Sequence, residues 1–129
     1  MKRMLALASL LLLAPLSSRA QQSSTALAHD VYFSLNDASA SARSELVAAC
    51  RKYLAGHEGT LFFSVGAVAA ELARPVNDHD FDIALHITFA DRAAHDRYQE
   101  HARHKQFIAE QQKNWKRVRV FDSLVEVVK

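Results

Sequence analysis

Seven histidines fall within the 129 residues of the chain, and Tyr98 precedes one of them, His104, by six positions. These two side chains are suited to proton transfer. Imidazole ionises near pH ~6.5, so it exchanges protons at physiological pH. A tyrosine hydroxyl at hydrogen-bond reach can fix which ring nitrogen carries the proton, and an interrupted helix can bring both groups to one cavity mouth. The same pair also suits a plain role, satisfying each other's polar groups and locking two helical segments together. The spacing leaves both roles open. His29 stands on an apolar strand face, where a histidine is either a hydrogen-bonded core residue or the polar group of a ligand cavity.

Metal chemistry finds a weaker footing. His101 and His104 are spaced i, i+3, which puts two imidazoles on one helical face, and His95 or His86 would add a third nitrogen for an ion such as zinc. The motif offers no carboxylate or cysteine beside them, so neither a metal nor a cofactor is expected. His57, between Gly56 and Glu58, reads as a loop residue. So does His79 in Asn77-Asp78-His79-Asp80, whose acidic residues lack the spacing and length of an EF-hand loop. The single cysteine, Cys50, cannot form an internal disulfide and reads as a core filler rather than a nucleophile.

The elements that must position these groups follow from periodicity. His29, Val31, Phe33 and Leu35 alternate with Asp30, Tyr32 and Ser34, which predicts a strand over 29–35. Asn36 to Ser39 forms a turn and a helix start, and the helix runs over about Ala40–Ala55 with Leu46, Val47, Cys50, Tyr53 and Leu54 as its apolar stripe. Gly56 suits the left-handed position after it, and Gly59 marks the turn into a strand over Thr60–Val68. There Leu61, Phe63 and Val65 face one way and Phe62, Ser64 and Gly66 the other, with Gly66 placed to permit a bulge or close approach. A loop over Glu71–Asp80 leads to a third strand over Phe81–Phe89. Asp91 caps a helix carrying Ala94 and Tyr98, a second helical stretch holds His104, Phe107, Ile108 and Gln111, and a last strand lies within Val118–Val127. The order β-α-β-β-α-β is the ferredoxin-like α+β arrangement. Tyr32 and Phe62 leave apolar surface on the sheet face away from the helices, so a homodimer with sheets face to face is expected.

Residues 1–20 have the form of a secretory signal. Lys2 and Arg3 precede the apolar run Leu5–Leu13, and Ser18 and Ala20 place the cut after Ala20. A membrane anchor is the competing reading, but the run is shorter than the roughly 20 apolar residues a spanning helix needs, and Pro15 interrupts it. The expected product is secreted or periplasmic, with a flexible lead-in over 21–27, a single domain over 28–127, and no membrane association after cleavage. Loss of Lys2, Arg3 and Arg19 leaves 13 basic residues against 14 acidic, a net charge of −1, with no basic stripe for nucleic acid. Lys113, Lys116, Arg117 and Arg119 read as a solvated helix end.

Several segments in order resemble the stress-responsive dimeric α+β barrel (Dabb) family: His29-x-Val31-x-Phe33; Asp82-Ile83-Ala84-Leu85-x-x-Thr88-Phe89-x-Asp91; Tyr98-x-x-His101-x-x-His104-x-x-Phe107; and Val120-Phe121-Asp122. The resemblance spans about His29 to Leu124. It implies a dimeric ferredoxin-like barrel. In one plant branch that closes polyketide chains by an aldol reaction, it implies a histidine base, an orienting tyrosine and a pocket histidine at the positions of His104, Tyr98 and His29. The chain departs from the family at Ala102, where a proline is usual, and at Ile83, where the cyclase branch has a histidine. The expectation is therefore an exported homodimer that binds a small apolar or aromatic molecule in a cavity lined by Val31, Phe33, Leu85 and Phe107, with His29, Tyr98 and His104 as polar groups. An enzyme of the cyclase or small-oxygenase sort, with His104 as base and Tyr98 beside it, is the first alternative. A structural stress-induced dimer with a filled interior is the second.

Overall fold

The computed structural model describes residues 25–128. The signal segment and residues 21–24 of the lead-in lie outside them. The described residues form β1 (Ala26–Leu35), α1 (Ala40–Leu54), β2 (Thr60–Ala67), β3 (Ile83–Phe89), α2 (Arg92–Glu100), α3 (Ala102–Gln111), a 3₁₀ turn (Gln112–Asn114) and β4 (Trp115–Val125). The strands make one antiparallel sheet in the order β2-β3-β1-β4. This is the ferredoxin-like fold, with its second helical segment divided in two.

The alternation read from the sequence decides the faces. Val31, Phe33 and Leu35 from β1 and Ile83, Leu85, Ile87 and Phe89 from β3 are buried beneath the helices. Side chains such as these contribute about 1.5–3 kcal/mol each when fully removed from water. Helix α1 adds Leu46, Ala49, Cys50, Tyr53 and Leu54 to the same core, and Ser39 caps its first turn by accepting from the Ala42 amide. Burial pushes the Cys50 thiol up to about 12, so it stays protonated and inert.

Several boundaries move. β1 begins at Ala26, because Ala26 and Leu27 pair with Val125 and Leu124 and are buried, so the lead-in is shorter than expected. β4 begins at Trp115, whose ring packs on Phe33 and Phe107 at 5.2 and 5.7 Å between centroids. Lys116, Arg117 and Arg119 thus lie in a strand and not at a helix end. Arg117 and Arg119 turn away from the helices to Asp80 and Asp78, at 2.9 and 3.3 Å. β3 starts at Ile83, two residues late, because Asp82 has another task. Its carboxylate accepts from the Leu35 amide at 2.8 Å and from Arg43 at 2.7 Å, tying β1 and α1 to the head of β3. The irregularity in β2 falls between Thr60 and Phe62, not at Gly66, around which a Cβ would meet nothing within 4 Å. Gly59 is the glycine that needs its missing side chain: φ is 83°, and a Cβ would sit 2.5 Å from that of Ala94.

The other sheet face is open. Tyr32 contacts Phe81, His86 and Phe121 edge-on at 5.0, 5.9 and 5.7 Å, and Phe62 and Phe121 are 56% and 51% exposed. Among the described residues no helix is long and apolar enough to cross a membrane.

Candidate functional site

Between the inward face of β1 and β4 and the packed side of α3 lies a cleft of about 170 Å³. Register explains its composition. Val31 pairs with Val120 and Phe33 with Val118, so these four point to the same side, and Leu85 continues the row on β3. Leu54, Phe107, Ile108 and Trp115 complete an apolar wall. His29, Tyr98, Gln99 and His104 supply its polar groups. All seven residues singled out from the sequence as cavity or catalytic candidates line this one cleft. A larger hollow of about 370 Å³ lies on the opposite sheet face, among Asp30, Tyr32, Asp78, Phe81, Arg119 and Phe121. It is a wide dish on the open sheet face, and none of the candidate residues reaches it.

The break between α2 and α3 sets the His104 geometry. His101 leaves the helical path at φ −67°, ψ 140°, and its Nδ1 accepts from the Arg103 amide at 3.1 Å, capping α3. His104 then donates from Nδ1 to the Gln99 carbonyl at 3.1 Å. A carbonyl only accepts, so Nδ1 carries the proton and Nε2 keeps the lone pair. The tautomer is thus fixed by a backbone carbonyl and not by Tyr98, whose ring lies against His104 at 4.6 Å between centroids. Burial lowers the His104 pKa, outweighing the Gln99 hydrogen bond, so the ring is a neutral base at pH 7. Burial also raises the Tyr98 hydroxyl well above the ordinary phenol value, which keeps it a proton donor.

His29 is buried and donates from Nδ1 to Asp122 at 2.6 Å. Burial lowers its pKa more than the Asp122 hydrogen bond and charge raise it. His95 from α2 stands edge-on to His29 at 5.2 Å. The other histidines are dispersed. His57 lies in the loop between α1 and β2, as expected, but is buried there: it donates to the Tyr53 carbonyl at 2.8 Å and packs on His101 at 4.7 Å. His86 pairs with Asp30 at 2.7 Å on the open sheet face, and His79 holds the Leu72 carbonyl in its loop. His101, His104 and His86 are thereby separated, and the metal set considered from their spacing is not assembled. Asp122, Gln99 and Trp115 were absent from the residues singled out for the site. Asp122 carried a readable signal, since it shares the inward parity of Val118 and Val120 and is the one carboxylate on that row.

The stress responsive A/B barrel domain, Dabb, is matched over residues 27–125. The chain belongs to the Dabb family. Its fold is also that of solved Dabb relatives. A Dabb family protein with a ferredoxin-like fold from Mesorhizobium loti is 22% identical, with a TM-score of 0.66 covering 78% of this chain and 97% of that one. A dimeric ferredoxin-like protein of unknown function from Thermobifida fusca is 19% identical, also with a TM-score of 0.66, covering 78% and 92%. A hydroxynitrile lyase from Passiflora edulis is 15% identical, with a TM-score of 0.65, covering 82% and 98%. At such identities the shared property is the fold. No protein of curated function matches the sequence. Within this Dabb domain the two departures noted in the sequence are accommodated differently. Ala102 is the first residue of α3, and Ile83 is fully buried in the core outside the cleft.

Proposed function

We propose that this Dabb domain is exported, forms a homodimer through its open sheet face, and binds a small apolar or aromatic molecule in the cleft beside α3. The observation that carries the ligand reading is the cleft itself, an apolar wall with His29, Tyr98 and His104 converging on it. Its volume of about 170 Å³ limits the occupant. Drug-sized ligands need roughly 300–1,000 Å³, whereas an apolar cavity of about 150 Å³ accepts benzene. One substituted ring is the matching size. The dimer reading rests on the exposed aromatic face around Tyr32 and Phe121, and solved relatives from Thermobifida fusca and Bacteroides fragilis are described as dimeric. Export rests on the signal-like residues 1–20.

Native mass spectrometry of the protein recovered from its export compartment, before and after incubation with excess phenol, tests the three parts together. The expected species is a dimer of chains beginning at Gln21 that carries one small organic mass per chain. A monomer, a chain beginning at Met1, or a dimer that takes up no phenol at millimolar concentration would each remove the corresponding part.

One observation favours a second reading, general-base catalysis. His104 is held in a defined tautomer with Nε2 unprotonated, in a cleft where the Tyr98 ring packs against it. In this reading His104 abstracts an acidic C–H or O–H proton. The lowered pKa extends the active form below pH ~6.5, and rate falls only under more acidic conditions. Full turnover by His104→Ala on any substrate found would end it.

A further inference from the structure

Three donors from three separate elements meet around His29, the one of them that lines the cleft: His29 on β1, His95 on α2 and Asp122 on β4. One imidazole nitrogen from each histidine and one carboxylate oxygen lie within 4.8 Å of one another. Among the described residues this is the one group of three or more such donors. We propose that His29, His95 and Asp122 bind a divalent transition-metal ion of the zinc and cobalt class.

The donor chemistry fits that class. Two imidazoles and one carboxylate are borderline donors that favour zinc, cobalt or iron(II) over calcium or magnesium, which prefer all-oxygen shells. Three protein ligands leave a coordination position open, the arrangement of catalytic and not structural zinc sites. An ion roughly 2.0–2.2 Å from each of three tetrahedrally placed donors needs donors about 3.3–3.6 Å apart, so side-chain movements of about an ångström close the set. Asp122, half exposed, has room for such a movement, while the His95 side chain is mostly covered and holds its place.

A supporting contact lies one layer out. Metal-bound histidines generally donate their second N–H to a carboxylate, which fixes the tautomer. His95 does this already: Nδ1 donates to Asp96 at 3.0 Å, leaving Nε2 as the acceptor, where the Gln99 amide donates at 3.2 Å. Asp96 is also engaged by Arg92 at 2.9 Å, so the arginine on this helix turn is occupied and its charge is offset beside the site. The net charge of the three donors with neutral imidazoles is −1, set against a dication. A separate histidine–carboxylate contact, His86 with Asp30 on the opposite sheet face, has no third donor among the described residues and serves as an internal control.

The site shares His29 with the proposed cleft but stands independently of any organic ligand, because the probe is the metal alone. Untagged protein freed of metal by chelation is titrated with Zn²⁺ by calorimetry and with Co²⁺ by visible absorption. The expected result is one ion per chain, a Co²⁺ spectrum of low-coordinate intensity, and at least tenfold weaker binding in His95→Gln and in Asp122→Asn, with His86→Gln unchanged. The two weakened variants lie at partly exposed positions, and circular dichroism confirms that they are folded before titration. Absence of saturable binding would overturn the proposal. So would binding that persists in both variants, or binding lost instead in His101→Ala, which would move the ion to the His57–His101 contact.

Discussion

Burial, more than charge pairing, governs protonation of the histidines packed under the sheet. His29, His57 and His104 each have a lowered pKa with desolvation as the largest cause. A histidine whose folded pKa lies below its unfolded value of about 6.5 binds fewer protons when folded. Its contribution to stability is therefore full above that value and is lost as pH falls from about 6.5 through the folded pKa. Urea unfolding with a chelator present is expected to show a midpoint that is constant above pH ~7 and declines between pH ~6.5 and ~5, before carboxylates titrate. His104→Gln should shallow that decline. A midpoint that rises as pH drops would mean these rings gain protons on folding. At this scale residue types were more legible than partners. His104 stood out by its spacing from Tyr98, yet the group that fixes its tautomer is the Gln99 carbonyl, and a backbone atom has no sequence signature. The His29–Asp122 contact joins residues 93 positions apart and becomes visible only once the β1–β4 register is known.

Two element junctions hold the site. The break between α2 and α3 is one residue wide, and Ala102 opens α3 as its first helical residue. That position tolerates proline, whose missing N–H is one of the unpaired amides of a helix start. His101 before it already has the extended backbone that precedes a proline. Ala102→Pro is thus expected to leave the cleft intact and to stabilise the fold by about 0.4–1 kcal/mol, read as a higher unfolding midpoint. Loss of stability would show that the break is not preorganised as described. The second junction is the turn from α1 to β2. Gly56 and Gly59 both have positive φ, and a Cβ on Gly56 meets open space while one on Gly59 collides with Ala94 of α2. Gly56→Ala is expected to cost about 1–2 kcal/mol from backbone strain alone. Gly59→Ala should cost about 1–3 kcal/mol more for the collision. Equal losses at the two positions would argue against close packing of this turn on α2. Strand and helix types were legible because hydrophobic periods of 2 and 3.6 residues were kept. Boundaries were not, where charges intrude. Lys116, Arg117 and Arg119 hid the start of β4 because a solvent-facing row of cations looks the same in a strand edge and a helix end.

At the scale of the whole molecule the sheet separates two surfaces. One faces the helices and carries the cleft, His104 and the three-donor cluster. The other presents Tyr32, Phe62, Phe81 and Phe121 outward. A single chain leaves this second face wet, and its apolar character was foreseeable from alternation alone: phenylalanine at adjacent positions 62 and 63 puts one ring on each face. The cleft volume was not foreseeable, since it depends on how far α3 stands from β4, and Trp115 at the start of that strand props the two apart through its contacts with Phe33 and Phe107. Trp115 is also the one tryptophan of the chain and lines the cleft, so its emission reports occupancy there without a label. The most direct test is a titration of that emission with phenol and with a substituted aromatic ketone, in the parent protein and in Val120→Phe, which fills the cleft mouth. Saturable quenching or blue shift in the parent, weakened at least tenfold in Val120→Phe, is the expected result. A linear, unsaturable response that is the same in both proteins would contradict a ligand site in this cleft.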